Sequence, residues 1–233
     1  MQIKSLLIFA ALGLGVCATQ GCRTVDQNAS ETLIKPLGYL PGSARESQSY
    51  DERQVCLETA ASVAAEGHYT EAIKLYEKAE ELGGSDPSLD HQLASLYAKL
   101  GEYQKAVDRY EKIIEDGEES AEVLNNLAWT FYESNQLEDA YRVASEGLEK
   151  FPNDERLTAG SALMAYRLGD RELALNRFTS LYGAATAYHN VALLDLEYGS
   201  VKDAMQLVSV AKEMKDCPQE THDLFLAIQA QMN

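Results

Sequence analysis

The sequence has little positive charge and few residues that break or cross-link a chain. Lys and Arg number 20 against 37 Asp and Glu, so the formal net charge at pH 7 is −17. A chain this acidic repels phosphate backbones, which argues against nucleic-acid binding through a basic face. The 5 prolines are few and the 15 glycines follow no Gly-X-Y period, so the chain is neither Pro-rich nor collagen-like. Its 45% hydrophobic and 24% charged residues are typical of a globular protein.

The sequence also lacks the motifs of catalysis and metal binding. Its 4 histidines never pair at i, i+4, and the HExxH, CxxC, Gly-rich phosphate-loop and GxSxG patterns are absent. The many Asp and Glu residues fit solvated helix faces better than paired catalytic carboxylates. We therefore predict no enzyme activity, no cofactor, no metal and no small-molecule substrate. A periplasmic enzyme with an unrecognised carboxylate or histidine site is the alternative from another functional class.

The longest apolar run lies at the start of the sequence. Lys4 precedes the mainly apolar residues 6–16, a stretch shorter than the roughly 20 residues that a membrane-spanning helix needs. A positive residue followed by a short apolar stretch is typical of a secretory signal. We predict a signal peptide over residues 1–21 and therefore export of the protein across the inner membrane into the periplasm.

Two cysteines follow the apolar run within the sequence CATQGC. This segment resembles the lipobox of bacterial lipoproteins, in which a small residue precedes the lipidated cysteine. Cys22 follows the small Gly21, whereas Cys17 follows the bulkier Val16, so we favour lipidation at Cys22 and keep Cys17 and an ordinary secretory cut as alternatives. A multiply acylated cysteine is a durable anchor, and we expect it to hold the protein at a membrane, the outer one in our interpretation.

Residues 22–50 show no sustained period and contain a Pro-Leu-Gly and a Pro-Gly break. We predict a flexible tether, which at this length reaches about 30 Å and separates the body from the lipid. One short apolar cluster inside it could instead dock on the body or on a partner. That cluster consists of Ile34, Leu37, Tyr39 and Leu40.

The remainder of the chain is repetitive. The segment EGHYTEAIKLYEKA, residues 66–79, recurs as LGEYQKAVDRYEKI, residues 100–113, and three further copies follow. A repeat of this length determines the whole fold, because each copy forms the same structural unit. One alanine occurs in every copy, and the interval between successive alanines is constant except before the last, which comes four positions early. These alanines are Ala72, Ala106, Ala140, Ala174 and Ala204.

The pattern resembles the tetratricopeptide repeat, a helix–turn–helix unit of about 34 residues. The resemblance covers about residues 53–214 and implies an all-α fold, a right-handed α-solenoid of about five repeats over residues 51–215. The C-terminal segment, residues 216–233, is predicted to form a capping helix. In the fifth unit Asp195 occupies a position that is usually apolar, and the connection before this unit is shortened. We therefore expect irregular packing at that junction.

A glycine stands between the two apolar runs of four units, at Gly67, Gly101, Gly169 and Gly199, and Asn135 takes its place in the third. A helix that ends in a left-handed residue tolerates glycine best and asparagine next. The exchange of Gly for Asn predicts a positive φ at this position.

The resemblance also implies a concave inner wall, formed by the first helix of each unit, that binds peptides. Asn126 and Asn190 share one position of the repeat, where an amide can bond both groups of a bound backbone. Trp129, the only tryptophan, lies one turn beyond Asn126 and offers an aromatic anchor; the alternative is that the aromatic residues of the wall pack between helices. The predicted groove residues are His91, Lys99, Asn125, Asn126, Trp129, Tyr132, Arg156, Tyr166, Arg167, His189, Asn190 and Leu193.

These observations predict a protein–protein interaction scaffold of the bacterial cell envelope. The net charge favours partners with basic segments. A lipoprotein of this size with regular repeats resembles those of Flp/tight-adherence or type IV pilus assembly, which help to build the outer-membrane secretin. Lipoproteins of the outer-membrane protein assembly machinery are the alternative within the same class.

Overall fold

The computed structural model describes residues 51–232, and this part of the chain contains eleven helices and no strand. The predicted signal peptide, the lipidation candidates Cys22 and Cys17 and the tether lie outside the described residues. The all-α fold class is confirmed. The helices are α1 (Glu52–Ala65), α2 (Tyr69–Gly83), α3 (Pro87–Lys99), α4 (Tyr103–Glu115), α5 (Ala121–Glu133), α6 (Leu137–Lys150), α7 (Glu155–Arg167), α8 (Arg171–Tyr182), α9 (Ala184–Glu197), α10 (Val201–Ala211) and α11 (Gln219–Met232).

The helices form consecutive antiparallel hairpins, which we number as units one to five from α1–α2 to α9–α10. Each hairpin packs on the next, because the second helix of one unit contacts the first helix of the following unit. The first helices of units two, three and four also touch their neighbours directly. α11 packs on α10 at the end of the array. Each unit thus buries its apolar faces against its neighbours, which makes stability a nearest-neighbour property.

The turns inside the hairpins have the backbone conformation that the sequence predicts. Gly101 has φ = 75°, and Asn135, the non-glycine residue at this position, has φ = 62°. The N–H of Glu102 donates to the carbonyl of Tyr97 at 2.9 Å, which closes the end of α3. A side chain with a Cβ is disfavoured at such a φ, and Asn is the exception that the third unit uses.

Three of the four connections between units begin the next helix with a capping side chain. Asp86 precedes α3 and its Oδ1 accepts the N–H of Leu89 at 2.9 Å; Ser120 and Asp154 cap α5 and α7 in the same way. Each cap satisfies a backbone donor that would otherwise lack a partner in the first turn. These caps fix where α3, α5 and α7 start, whereas α9 begins without a side-chain cap.

The core follows the repeat. One small residue of every first helix is buried to within 1% exposure, which lets the paired helices approach closely. These residues are Ala60, Ala94, Ala128, Ala162 and Ala192. Large residues of the second helices, such as Tyr110 and Phe178, are completely covered between units. The third unit has the small Ala144 at the corresponding position, and there Gly147 allows Leu157 of the next unit to approach.

The junction before the fifth unit is irregular, as expected. Gly183, with φ = 79°, ends α8 and directly precedes α9, so these helices join without a loop. Asp195 is buried at 2% exposure but is fully bonded. Arg171 contacts its two oxygens at 2.5 and 3.1 Å, and the Tyr166 hydroxyl donates to it at 2.9 Å. The polar residue that the pattern marks as anomalous is accommodated by two partners from the preceding unit.

Candidate functional site

One cavity of the described residues lies between the first helices of units two and three. Its volume is about 680 Å³ and it opens along one side to solvent. We call it the inner groove. It is lined by Ser95, Ala98 and Lys99 of α3, Tyr103 and Tyr110 of α4, and Asn126, Trp129, Thr130 and Glu133 of α5.

Helix α5 gives the groove its floor because its two faces differ. Asn126, Trp129, Thr130 and Glu133 follow the i, i+3, i+4, i+7 spacing of one helix face. The opposite face, which includes Leu127, is buried in the core. The apolar period of the repeat therefore orients the polar face of α5 toward the groove.

The amide of Asn126, predicted to bind a partner backbone, is engaged within the protein. Its Nδ2 lies 3.2 Å from Nε2 of His91, and Nδ2 of Asn125 lies 3.4 Å from its Oδ1. His91 also approaches Glu122 at 3.7 Å and meets Tyr110 edge-on. These contacts hold Asn126 in place, so a ligand that uses this amide must compete with His91.

Charges of both signs border the inner groove. The Lys99 ammonium lies 5.2 Å above the ring of Tyr69, a cation–π contact. Burial raises the pKa of the Glu133 carboxyl. A carboxylate with a partly desolvated environment gains more from a cationic partner group than one in bulk water.

Trp129 packs between units and borders the groove at the same time. Its ring meets Tyr132 edge-on at a centroid distance of 5.2 Å. Its Nε1 lies 3.6 Å from the point that a Cβ on Gly160 would occupy, so the absence of a side chain there leaves room for the indole. Trp129 therefore combines the two roles considered for it: one part of the indole packs against α7, and another part lines the groove.

Aromatic and charged side chains form a cluster beyond Trp129. Arg167 lies between the rings of Tyr132 and Tyr198, with its Cζ 5.1 Å from each centroid, and donates to the Tyr132 hydroxyl at 2.9 Å. Burial lowers the pKa of Arg167, but the bond to Tyr132 and the electrostatic attraction of Tyr132 and Tyr198 together outweigh this effect and raise the pKa overall. Tyr166 is bonded to Asp195. Of the predicted groove residues, Tyr132 and Arg167 therefore bind each other and Tyr166 binds Asp195, and none of the three lines the inner groove.

The fifth unit departs from the predicted groove. His189 is buried and its Nδ1 lies 3.0 Å from the Thr221 hydroxyl of α11. Asn190 is 1% exposed, and its amide makes no hydrogen bond with the described residues. The assignment of these two residues to an accessible wall is therefore corrected: α11 covers His189, and Asn190 is enclosed. Leu193 is half-buried, and Arg156 is exposed and pairs with Asp154.

A buried ion cluster between units one and two was missed by sequence reasoning. Asp90 of α3 is completely buried, and its oxygens bind Arg109 at 2.6 Å and Lys112 at 2.8 Å. Arg109 also binds both oxygens of Glu80 at 2.7 and 2.8 Å. Burial raises the pKa of Asp90, but the bonds from Lys112 and Arg109 outweigh it and hold this pKa below its usual value. The signal was available: the equivalent residue one repeat later is the core residue Leu124.

Within residues 51–232, no group of three or more His, Cys, Asp or Glu side chains is placed to hold a metal ion. None of the described helices has the length and apolar character needed to cross a bilayer.

The comparisons with known proteins agree with the repeat pattern. The family model of the tetratricopeptide repeat matches residues 63–125 and again residues 97–164. No curated protein matches the sequence.

Several solved structures resemble this one. The MamA protein of Desulfovibrio magneticus RS-1, from residue 41 to its end, is 17% identical, with 70% of this chain and 94% of that chain covered and a TM-score of 0.58. YrrB, described as a TPR protein with an unusual peptide-binding site, is 20% identical over 75% and 90% of the two chains, with a TM-score of 0.55. PilF of Pseudomonas aeruginosa is 18% identical over 78% and 90%, with a TM-score of 0.54. At these identities the likeness establishes the fold.

Proposed function

We propose that this chain, which matches the family model of the tetratricopeptide repeat over residues 63–125 and 97–164, acts as a non-enzymatic scaffold that binds a segment of a partner protein in the inner groove. The observation that carries this proposal is the cavity of about 680 Å³ between α3 and α5, which combines an indole, an amide and charges of both signs. The groove is more polar than the mainly apolar pockets that bind small molecules, and this composition suits a peptide backbone with charged side chains.

The contacts in the groove suggest how a segment would be held. Trp129 provides a rigid aromatic surface, the type of residue that dominates binding energies at interfaces. Asn126 can bond a peptide backbone after it leaves His91, and Glu133 can pair with a basic side chain of the partner. The net charge of −17 favours the approach of such basic segments at low ionic strength.

We extend the proposal to the cell envelope and to pilus or secretin assembly. The sequence around Cys22 supports a lipid anchor, and the resemblance of a lipobox followed by regular repeats to the lipoproteins of pilus assembly supports this choice of machine. The structural likeness to PilF agrees with the same repeat fold. The role that we propose is therefore that of a periplasmic scaffold tethered to the outer membrane.

The test compares wild type, a double variant and a control variant for their capture of envelope proteins. The captured proteins are identified by mass spectrometry. Wild type is expected to retain a partner that the double variant Asn126→Ala/Trp129→Ala loses. The matched control is Asn176→Ala, because Asn176 is exposed on α8, away from the groove. Equal capture by wild type and the double variant would overturn the groove proposal while leaving the fold intact.

A second measurement uses the single tryptophan of the chain. Because Trp129 borders the groove, titration of the captured partner should change its fluorescence emission in a saturable way. In the Asn176→Ala variant the same change is expected with the same midpoint.

A further inference from the structure

A second cavity lies on the opposite side of α5 from the inner groove. It has a volume of about 440 Å³ and lies between the second helices of units two and three, α4 and α6. We call it the outer groove. It is lined by Glu111, Ile114, Glu115, Glu119, Leu124, Leu127, Phe131, Arg142, Val143, Glu146 and Lys150.

The outer groove exists because one position of the repeat differs between units. Arg109, Val143 and Arg177 occupy this position in units two, three and four, one on each second helix. Between units one and two, Arg109 crosses from α4 to Glu80 of α2 and fills the corresponding space. Between units three and four, Arg177 extends over the ring of Tyr141, with its Cζ 5.3 Å from the centroid. The shorter Val143 leaves the middle junction open.

The partners of the arginine have changed together with it. The positions of Glu80 and Asp90, which bind Arg109, are taken one repeat later by Ile114 and Leu124. Where the first junction has a bonded ion cluster, the second therefore has an apolar floor. Most of this floor is already covered by the packing of the repeats, since Leu124, Leu127, Phe131 and Val143 are 3–8% exposed, whereas Ile114 is half-buried. A partner helix therefore gains about 25 cal/mol per Å² mainly from the remaining apolar surface around Ile114 and from the aliphatic parts of the rim side chains.

The rim of the outer groove is predominantly acidic. Glu119 pairs with Lys150 at 2.6 Å, and Glu146 pairs with Arg142 at 3.3 Å. The two other carboxylates of the lining, Glu111 and Glu115, make no ion pair with any described residue. The groove thus presents apolar side chains inside and surplus negative charge at its edge.

We propose that the outer groove is a second docking site, which binds a basic amphipathic helix of a partner protein. The apolar side chains of that helix, spaced at i, i+3 and i+7, enter the floor, and its Lys or Arg residues face Glu111 and Glu115. Because the inner groove uses the opposite face of α5, the two sites are separate and one partner segment can occupy each. Charge complementarity selects a basic helix over an acidic or neutral one.

The probe for this proposal is a helical peptide of about 15 residues, the length at which isolated helices begin to form. It carries leucines at i, i+3 and i+7 and lysines at the flanking positions, and a matched peptide replaces the leucines by serines with the same charge. Fluorescence anisotropy on the full chain gives both affinities. We expect saturable binding of the leucine peptide, with the serine peptide at least about tenfold weaker.

Two variants locate the binding. Val143→Arg restores the residue of the neighbouring units and should fill the groove, weakening the leucine peptide about tenfold or more. Glu111→Gln/Glu115→Gln changes only the exposed rim and should weaken binding about two- to fivefold per charge, with a shallower salt dependence. Asn176→Ala, at an exposed position of α8 outside both grooves, changes no charge and is the control that should leave the affinity unchanged.

Three results would overturn the proposal. The first is equal affinity for the leucine and serine peptides, which would mean attraction by net charge alone. The second is unchanged binding in both the Val143→Arg and the rim variants. The third is occupation of the groove by this protein itself. A second copy in the groove would give a concentration-dependent dimer in sedimentation that Val143→Arg abolishes. The N-terminal segment in the groove would give hydrogen-exchange protection of residues 34–40 that the same variant removes.

Discussion

Replacement of Asp90 by alanine is expected to destabilise units one and two more than any surface change. Asp90 is completely buried, and its loss leaves Arg109 and Lys112 without their shared partner. Breaking a buried ion pair costs about 3–5 kcal/mol when the remaining charge stays out of water. Here the cationic side chains are 21% and 41% exposed, so water relieves part of the cost and we expect about 2–3 kcal/mol.

The repeat itself provides a compensating double variant. The next unit has Leu124 and Val143 at the positions of Asp90 and Arg109 and forms the same three-helix packing. Asp90→Leu/Arg109→Val should therefore recover most of the stability lost by Asp90→Ala, because apolar residues often replace a buried ion pair without loss. The comparison separates the cost of an unpaired charge from the value of the pair.

Thermal unfolding followed by circular dichroism measures both changes. In a domain of this size, a loss of about 2–3 kcal/mol corresponds to a fall of about 5–10 °C in Tm. The pKa of Asp90 is lowered in the fold, so its stabilisation is present above its unfolded pKa of about 3.9 and disappears as the pH falls through the lower folded pKa. A Tm of Asp90→Ala within about 1 °C of wild type at pH 7, or a double variant less stable than the single one, would refute this reasoning.

Three further predictions concern other parts of the chain. Burial lowers the pKa of His189, so the unfolded chain takes up a proton before the folded chain does as the pH falls below about 6.5. The stability of wild type should therefore drop over that range, whereas that of His189→Gln should not, and scanning calorimetry at pH 7.5 and 5.5 would show the difference. Gly101→Val should lower the free energy of unfolding by about 1–2 kcal/mol through backbone strain alone, since a Cβ there meets nothing within 4 Å. Gly101→Asn should cost much less, because unit three has Asn135 at this position with a positive φ. Equal urea midpoints for the two variants would contradict this prediction. Radiolabelled palmitate should enter the wild-type chain and Cys17→Ala but not Cys22→Ala; label that persists in Cys22→Ala would move the anchor elsewhere.

The N-terminal predictions stand apart from the rest. The signal peptide, the lipidated cysteine and the tether fall on residues outside the described structure, and they remain predictions. Each of these predictions rests on a short local sequence pattern of the kind that an export machinery recognises. Such a pattern does not depend on the fold of the repeats.

Within residues 51–232, the sequence alone determined the architecture, because the repeat encodes it through local physics. The period of the repeat predicted paired helices, and the exchange of glycine for Asn135 predicted a positive φ at the turns. Both are properties of a few neighbouring residues: apolar spacing sets which helix face is buried, and the absence of a Cβ sets where the chain reverses. For the same reason the face of α5 that carries Asn126 and Trp129 could be assigned before the structure was known.

Only the tertiary structure decided which side chains are accessible and which bind one another. His189 and Asn126 belong to similar first helices, yet α11 covers the first and the inner groove exposes the second. Asp90 belongs to an ion cluster and Val143 lines a groove because other helices bring the remaining residues of each next to them. A repeat pattern fixes the position of each backbone segment, but the environment of a side chain depends on the chemistry of three helices at once, and that combination appears only when they are packed.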